Sequence, residues 1–159
     1  ADLVLVTASI RPAGLANQKA LCIQQVLRGI TSERGSFDLT FLKDLPVDEA
    51  RSWLMKFKGV GPKTAAIVLL FSLDKPAFPV DTHIYRVTGR LGMLSEKMTV
   101  EAAHHHLEQL FTPEMYYAAH LNLIHLGREI CTARKPCCDR CPLRKPCKYV
   151  KSAGFQSDI

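Results

Sequence analysis

Four closely spaced cysteines near the carboxyl end of the sequence could together bind a metal centre. Five of the six cysteines fall between residues 131 and 147, and four of them are separated by six, two and five residues. These four are Cys131, Cys138, Cys141 and Cys147. Disulfides between them would only close loops that are already short, and nothing marks the chain as secreted. The spacing therefore predicts a metal centre.

Two kinds of metal centre fit four thiolates. Structural zinc sites usually pair two close-set couples of Cys or His across a longer intervening stretch. A single contiguous loop with unequal gaps is more typical of an iron-sulfur cubane. We therefore favour iron-sulfur, and zinc stays open as the alternative.

A second pattern places two glycines just before a predicted helix. Residues 57–66 read F-K-G-V-G-P-K-T-A-A, with Pro62 where the first turn of a helix tolerates a missing N–H. Gly59 and Gly61 permit a tight turn and the close approach of another molecule, and the free N–H groups at the helix start attract a phosphate oxygen. The pattern indicates a helix-hairpin-helix that binds nucleic-acid backbone. A plain αα-hairpin is the alternative.

The basic residues are concentrated in the segment that contains the cysteines. The formal net charge is +6, and residues 128–151 hold eight basic residues against two acidic ones. Such a patch suits a polyanion such as DNA, because neutralised phosphates release counterions, although a solvated tail would have the same composition. No apolar run approaches the roughly 18 residues of a membrane span. We therefore expect a globular protein with no membrane segment.

A third motif completes a family resemblance. Residues 79–86, which begin sixteen positions after Lys63, read P-V-D-T-H-I-Y-R. With the hairpin and the cysteine spacing, this V-D-T-H string resembles the endonuclease III and adenine-mismatch glycosylase family of DNA repair enzymes, over about Ile10 to Val150. The resemblance implies an all-α helix-hairpin-helix glycosylase fold and a [4Fe-4S] cluster held by Cys131, Cys138, Cys141 and Cys147. Cys137 is not at a ligand position of the family and is interpreted as a spare thiol.

The resemblance also implies catalytic roles for Lys63 and Asp81. The Lys63 amine would attack C1′ of the sugar and form a Schiff base, which permits β-elimination of the 3′ phosphate. The Asp81 carboxylate would take protons and stabilise the cationic sugar. Considered singly, a surface lysine and an ordinary helix N-cap are the alternatives. Family members that only remove a base usually carry Ser or Tyr instead of this lysine, so we expect a bifunctional glycosylase and lyase, with oxidised pyrimidines as its commonest substrates.

DNA contacts are expected at the hairpin and at the cysteine loop. The expected contact residues are Lys58, Gly59, Val60, Gly61, Thr64, Arg134 and Lys135. The family commonly has Pro instead of Lys58. The implied partner is double-stranded DNA with a damaged base or an abasic site, bound by a monomer. The implied location is the nucleoid of a prokaryote, or the nucleus or mitochondria of a eukaryote.

The elements that must position these residues are helices. Helical periodicity predicts helices at 16–32, 47–57, 62–72, 82–92, 99–111 and 115–127, and no segment alternates with a period of two. We expect a partial helical barrel with the hairpin at 1–75, a cluster lobe with the catalytic aspartate at 76–151 and a tail at 152–159. His104 to His106 point in different directions on one helix, so we expect them at the surface. Trp53 and Cys22 are expected in the core.

The start of the chain departs from the family. Relatives carry upstream helices that complete a six-helix barrel and supply a side chain that plugs the space left by the extruded base. Those helices are absent, and the sequence shows no obvious plug. We therefore expect a fragment of a longer protein that lacks N-terminal helices. A non-catalytic DNA-binding module that retains the hairpin and the cluster is the alternative function.

Overall fold

The computed structural model describes residues 2–152, and this part of the chain is helical and contains no strand. Its α-helices are α1 Leu3–Ser9, α2 Ala16–Arg34, α3 Val47–Met55, α4 Pro62–Ile67, α5 Thr82–Leu91, α6 Val100–Leu110, α7 Tyr116–Glu129 and α8 Lys148–Ser152. Short 3₁₀ turns lie at Arg11–Ala13, Thr40–Lys43, Pro113–Met115 and Cys138–Arg140. The all-α prediction is confirmed, and the six predicted helices correspond to α2 through α7. No helix in residues 2–152 is long and apolar enough to cross a membrane.

The helix predicted at 62–72 changes its winding halfway. It is α-helical over Pro62–Ile67 and continues as a π-helix over Val68–Ser72. Leu69, Leu70 and Leu73 are all buried here. Periodicity could not reveal the wider turn, because the run from Ala65 to Leu73 has almost no polar residue to mark an outer face.

The chain forms two compact units that divide between Ala65 and Ala66. This division falls inside α4, so it does not test the predicted lobe boundary after residue 75, which stays a prediction. Apart from Ser152, the predicted tail lies outside the described residues.

Aromatic packing in the first unit is centred on Trp53. Its ring lies edge-on to Phe41 and Phe57, with a centroid distance of 5.0 Å to each. Its indole N–H donates to Glu33 at 2.9 Å, and the Lys56 ammonium donates to the same carboxylate at 2.7 Å. These hydrogen bonds, the one from Lys56 first, lower the pKa of Glu33. Trp53 is half-buried in this cluster, as expected of a packing residue rather than a base-stacking one.

The second unit is built on the packing of α5 against α7. The two helices approach closely at Gly127, where a Cβ atom would lie 2.8 Å from Cβ of His83. Phe78 is fully buried nearby, with the rings of Phe111 and Tyr116 at 5.2 and 5.5 Å. This core encloses the chain segment that leads into Asp81.

Candidate functional site

The hairpin turn depends on a glycine at position 59. Gly59 has a φ of +92°, which side chains rarely adopt, and a Cβ atom there would lie 2.2 Å from Sγ of Cys22. The turn is closed by the Val60 N–H, which donates to the Phe57 carbonyl at 3.0 Å. Cys22 lies half-buried against this turn, 3.5 Å from the Lys58 carbonyl oxygen, and so supports the hairpin instead of the core predicted for it.

Gly61 differs from Gly59 in what the fold requires of it. Its φ is not positive, and a Cβ atom there would meet nothing within 4 Å. The predicted need for glycine in a tight turn is therefore wrong for Gly61. Its missing side chain leaves open space at the tip of the hairpin.

The helix that follows has an exposed lysine, Lys63, as its second residue. The Ala65 N–H donates to the Gly61 carbonyl at 3.0 Å, so the helical bonding begins at Gly61. The earlier N–H groups, those of Lys63 and Thr64, are the ones that a helix start leaves for an outside acceptor. The side chains of both residues are exposed. Lys58 is also exposed, and Val60 is half-buried.

Asp81 has the opposite environment from Lys63. It is 8% exposed, and one carboxylate oxygen accepts the Ile84 N–H at 2.8 Å, which makes Asp81 the N-cap of α5. The capping role considered for Asp81 is therefore present. Lys63 belongs to the first unit and Asp81 to the second. Their predicted pairing in one site stays a prediction.

Two histidines support the segment before Asp81. Nδ1 of His104 lies 3.0 Å from the Phe78 carbonyl oxygen, and Nδ1 of His120 lies 3.0 Å from the Pro79 carbonyl oxygen. His104 is 3% exposed, so the expected surface position is wrong for it. His105 is exposed as expected, and His106 is half-buried, with Nε2 2.9 Å from the Met93 carbonyl oxygen. His104 lies on the inner face of α6 with Ala103 and Leu107. That spacing was a signal in the sequence for its burial.

The four cysteines lie around one small cavity in the second unit. Its lining comprises Arg90, Ile130, Cys131, Pro136, Cys138, Cys141, Cys147, Tyr149 and Val150. Cys138 and Cys147 are buried, whereas Cys137 is exposed and does not line the cavity. Burial raises the pKa of the Cys138 thiol, and the other three cavity cysteines raise it further. The four cysteines therefore line one site.

The donor set around this cavity fits an iron-sulfur cluster. In residues 2–152, no three His, Cys, Asp or Glu side chains converge on a point that a single metal ion could occupy. A four-iron cluster does not need such convergence, because each thiolate binds a different iron. Three of the lining residues, Ile130, Pro136 and Val150, are apolar, which suits a cluster held away from water.

Arg90 is a candidate functional residue that the sequence did not reveal. Its guanidinium donates to Cys131 Sγ at 3.3 Å and to the carbonyl oxygens of Thr132 and Ala133 at 2.7 and 2.8 Å. It also lies 4.8 Å from the centre of the Tyr149 ring. Arg86, one helical turn earlier, donates to the Cys131 carbonyl at 2.9 Å. In the sequence, the spacing of four between Arg86 and Arg90 indicates that both lie on one face of α5. It does not indicate that this face contacts the cysteine loop.

The two basic residues between the first cysteines are exposed. Arg134 and Lys135 are both accessible, and the Thr132 hydroxyl donates to the Lys135 carbonyl at 2.7 Å, which stabilises the loop that carries them. They are therefore available to an external partner.

Leu15 is a second feature that the sequence did not reveal. It is 72% exposed and has a φ of +53°, which costs a non-glycine residue about 1–2 kcal/mol. It follows Gly14, whose φ is also positive, and directly precedes α2. The Lys19 ammonium donates to the Ala13 carbonyl at 2.7 Å, which ties this loop to α2. An exposed leucine on a strained backbone commonly marks a functional position.

Known relatives agree with this architecture. The chain is 37% identical to Endonuclease III of Sulfolobus acidocaldarius, over 94% of this chain and 64% of the relative. It is 34% identical to Protein ROS1C of Oryza sativa subsp. japonica, over 96% of this chain and 9% of the relative. It is 31% identical to DNA glycosylase/AP lyase ROS1 of Arabidopsis thaliana, over 96% of this chain and 12% of the relative. The chain therefore spans less than two thirds of the length of these three relatives.

A solved structure and a family model give the same result. A non-covalent Endonuclease III-DNA complex superposes with a TM-score of 0.78 at 32% identity, over 98% of this chain and 69% of that one. The model of the HhH-GPD superfamily base excision DNA repair proteins matches residues 1–113. With its helical fold, glycine hairpin and N-capping aspartate, the chain belongs to the HhH-GPD superfamily of base excision DNA repair proteins.

Proposed function

We propose that this chain is the catalytic region of a DNA glycosylase that also cuts at abasic sites. The observation that carries the proposal is the contrast between an exposed Lys63 at the start of α4 and a buried Asp81 that is the N-cap of α5. Relatives named Endonuclease III and DNA glycosylase/AP lyase support it. They do not favour the non-catalytic alternative, since both names are those of enzymes.

Lys63 supplies the nucleophile for both steps. The Lys63 amine forms a bond to C1′ as the bond from C1′ to the base breaks, and the base departs with that electron pair and takes up a proton. The amine nitrogen then loses a proton as the sugar ring opens at the bond between C1′ and O4′, which becomes a hydroxyl, and the resulting Schiff base makes the C2′ proton acidic. Loss of that proton breaks the bond between C3′ and its oxygen and releases the 3′ phosphate. An exposed amine suits this role, because it must reach a sugar outside the protein.

Asp81 handles protons and charge. The Ile84 N–H and burial restrict the orientation of its carboxylate, so its second oxygen is available to a proton or to the positive charge on the sugar. A negative charge at the start of α5 is also favourable for the helix dipole.

The hairpin binds the DNA backbone. The N–H groups of Lys63 and Thr64 are suited to a phosphate oxygen, and the absence of a side chain at Gly61 lets that phosphate approach. Gly59, Val60 and Lys58 complete this surface. Arg134 and Lys135 on the cysteine loop contact the backbone as charged groups.

Leu15 fills the space that the extruded base leaves. Leu15 is exposed and has a positive φ, so its side chain is accessible for insertion between bases, which is favourable because it replaces part of the lost stacking. Leu15 thus supplies the plug that the sequence did not indicate.

The cysteine loop holds a [4Fe-4S] cluster through Cys131, Cys138, Cys141 and Cys147. When bound, the cluster would cross-link the loop through four iron-thiolate bonds and add negative charge, partly offset by Arg90. A broad absorbance at about 400 nm in the purified protein would indicate iron-sulfur, since a zinc-thiolate site has none there. The substrate is double-stranded DNA with an oxidised pyrimidine or an abasic site, bound by a monomer in the compartment that contains the DNA.

Borohydride trapping on abasic-site DNA tests the proposal. The Schiff base should be reduced to a stable covalent complex with the wild-type protein, while Lys63→Ala should give none. Lys97→Ala, which changes another exposed lysine, is the control and should trap normally. Absence of a trapped species with the wild type, or undiminished trapping with Lys63→Ala, would show that the proposal is wrong.

A further inference from the structure

The segment that leads into Asp81 is buried although it is not helical. Residues 77–80 lie outside the helices, and all four are buried, with at most 1% of the surface of Ala77, Phe78 and Val80 exposed. A buried backbone must have partners for its N–H and C=O groups. No strand in residues 2–152 offers a ladder to this segment. The Ala77 N–H donates to the backbone carbonyl of Lys75 at 2.9 Å, and side chains bond the backbone groups of Phe78 and Pro79.

Three side chains from two helices do so. The Phe78 N–H donates to the Glu108 carboxylate at 2.9 Å, and the His104 ring bonds the Phe78 carbonyl at 3.0 Å. The His120 ring, on α7, bonds the Pro79 carbonyl at 3.0 Å. Because a carbonyl oxygen only accepts, Nδ1 of each ring must carry the hydrogen. Both rings are nearly inaccessible, at 3% and 2% exposed.

We propose that His104 and His120, with Glu108, are positioning residues that fix the Asp81 carboxylate for catalysis. The inference rests on the proposed function, since it assumes that Asp81 acts on the substrate. The bonded carbonyls belong to Pro79 and Phe78, two and three residues before Asp81. Val80, which joins Pro79 to Asp81, is buried. A shift of this backbone therefore moves the carboxylate, and a displacement of about 1 Å in a catalytic group can cost about 100-fold in rate.

Asparagine and glutamine distinguish positioning from burial. Asn places its amide N–H where Nδ1–H of histidine lies, whereas Gln extends its amide toward the position of Nε2. Both are polar and of similar size, so His120→Asn and His120→Gln form a matched pair, as do His104→Asn and His104→Gln. His125→Gln and His105→Gln change exposed histidines on the same two helices and are the controls.

The test is the single-turnover rate of strand cutting at a preformed abasic site, beside the Kd for DNA with an uncleavable abasic analogue. We expect the Gln variants to cut about tenfold or more slowly, the Asn variants to remain within about threefold of wild type, and all to bind DNA normally. Far-ultraviolet circular dichroism verifies folding. If a single Gln variant does not fold, the surviving pair decides.

The outcomes separate the inference from the proposed function. Equal cutting by the Asn and Gln variants, with Asp81→Asn inactive, overturns the positioning role and leaves the proposed function standing. Loss of DNA affinity in parallel with the rate also overturns it, because that result indicates general damage to the fold. A wild-type protein that does not cut abasic DNA refutes the proposed function itself.

Discussion

The hairpin at residues 57–64 and the segment at 77–81 each bring a candidate catalytic residue to the start of a helix, but they are held in different ways. The hairpin turn is closed by a bond between Phe57 and Val60, and its tightest constraint is a glycine against Cys22. The second segment is held by side chains from α6 and α7, at least 23 residues further along the chain. A backbone turn leaves the lysine exposed, while distant hydrogen bonds keep the aspartate buried.

The difference corresponds to what each residue must do. A nucleophilic amine has to reach C1′, and the lysine side chain is long and flexible enough to do so. The backbone that carries it therefore has to be held without restricting the side chain. A carboxylate that accepts a proton has to be oriented in advance, so it needs a rigid one. Substitutions in the two segments should therefore fail in different ways.

The largest effect is expected at Asp81. Asp81→Asn keeps an oxygen that can accept the Ile84 N–H but loses the charge, so it should slow single-turnover cutting by about 10² to 10⁴-fold without loss of stability. Asp81→Ala also loses the N-cap, so its free energy of unfolding, measured in urea, should be lower by about 0.5–2 kcal/mol. If Asp81→Asn is as active as the wild type, the proposed catalytic role of Asp81 is wrong.

The next effect is expected at Arg90, which extends the comparison to the other end of α5. Arg90→Lys keeps the charge, but one ammonium cannot reproduce the guanidinium's donation to the Cys131 thiol and two carbonyls. We expect the proposed cluster to lose its iron to a chelator at about 10–100-fold lower chelator concentration in this variant than in the wild type, measured by the absorbance at about 400 nm. Arg140→Lys, on an exposed residue of the same loop, is the control. Equal iron retention in both variants would contradict a role for Arg90 in holding the loop.

A smaller and more selective effect separates the two hairpin glycines. Gly59→Ala should lower the free energy of unfolding by at least about 1–2 kcal/mol, because of its φ of +92° and the contact with Cys22. Gly61→Ala should leave stability within about 0.5 kcal/mol of wild type. It should weaken binding to an abasic analogue by about tenfold, the equivalent of about 1.4 kcal/mol. If both variants have the same phenotype, the distinction between a fold glycine and a contact glycine is wrong.

The smallest effect is expected at the exposed loop. Arg134→Ala or Lys135→Ala should reduce the slope of log affinity against log salt by about one, with little change in cutting at saturating DNA. Lys97→Ala, outside the loop, should leave the slope unchanged. A slope that changes only for Lys97→Ala would place the DNA elsewhere.

The sequence predicted what is encoded locally and failed where distant residues act. Gly59, Pro62 and the cysteine spacing are signals read within a few positions, and the helices from α2 to α7 were found from periodicity. The burial of His104 was missed because three adjacent histidines suggested a surface run, although Ala103 and Leu107 flank the inner face. Arg90 was missed because nothing along α5 shows that its last turn meets the cysteine loop. The exposure and strained backbone of Leu15 are properties of a turn that no periodicity describes.

The buried segment before Asp81 should also be visible in hydrogen exchange. Amides outside helices and strands usually exchange fast, since nothing shields them from water. The Phe78 amide is an exception, because it is inaccessible and bonded to a carboxylate on α6. Its deuterium can enter only when α6 moves away or the second unit opens. This non-helical amide should therefore exchange as slowly as those of the helix core, and its rate reports how often the segment that leads into Asp81 loses its support.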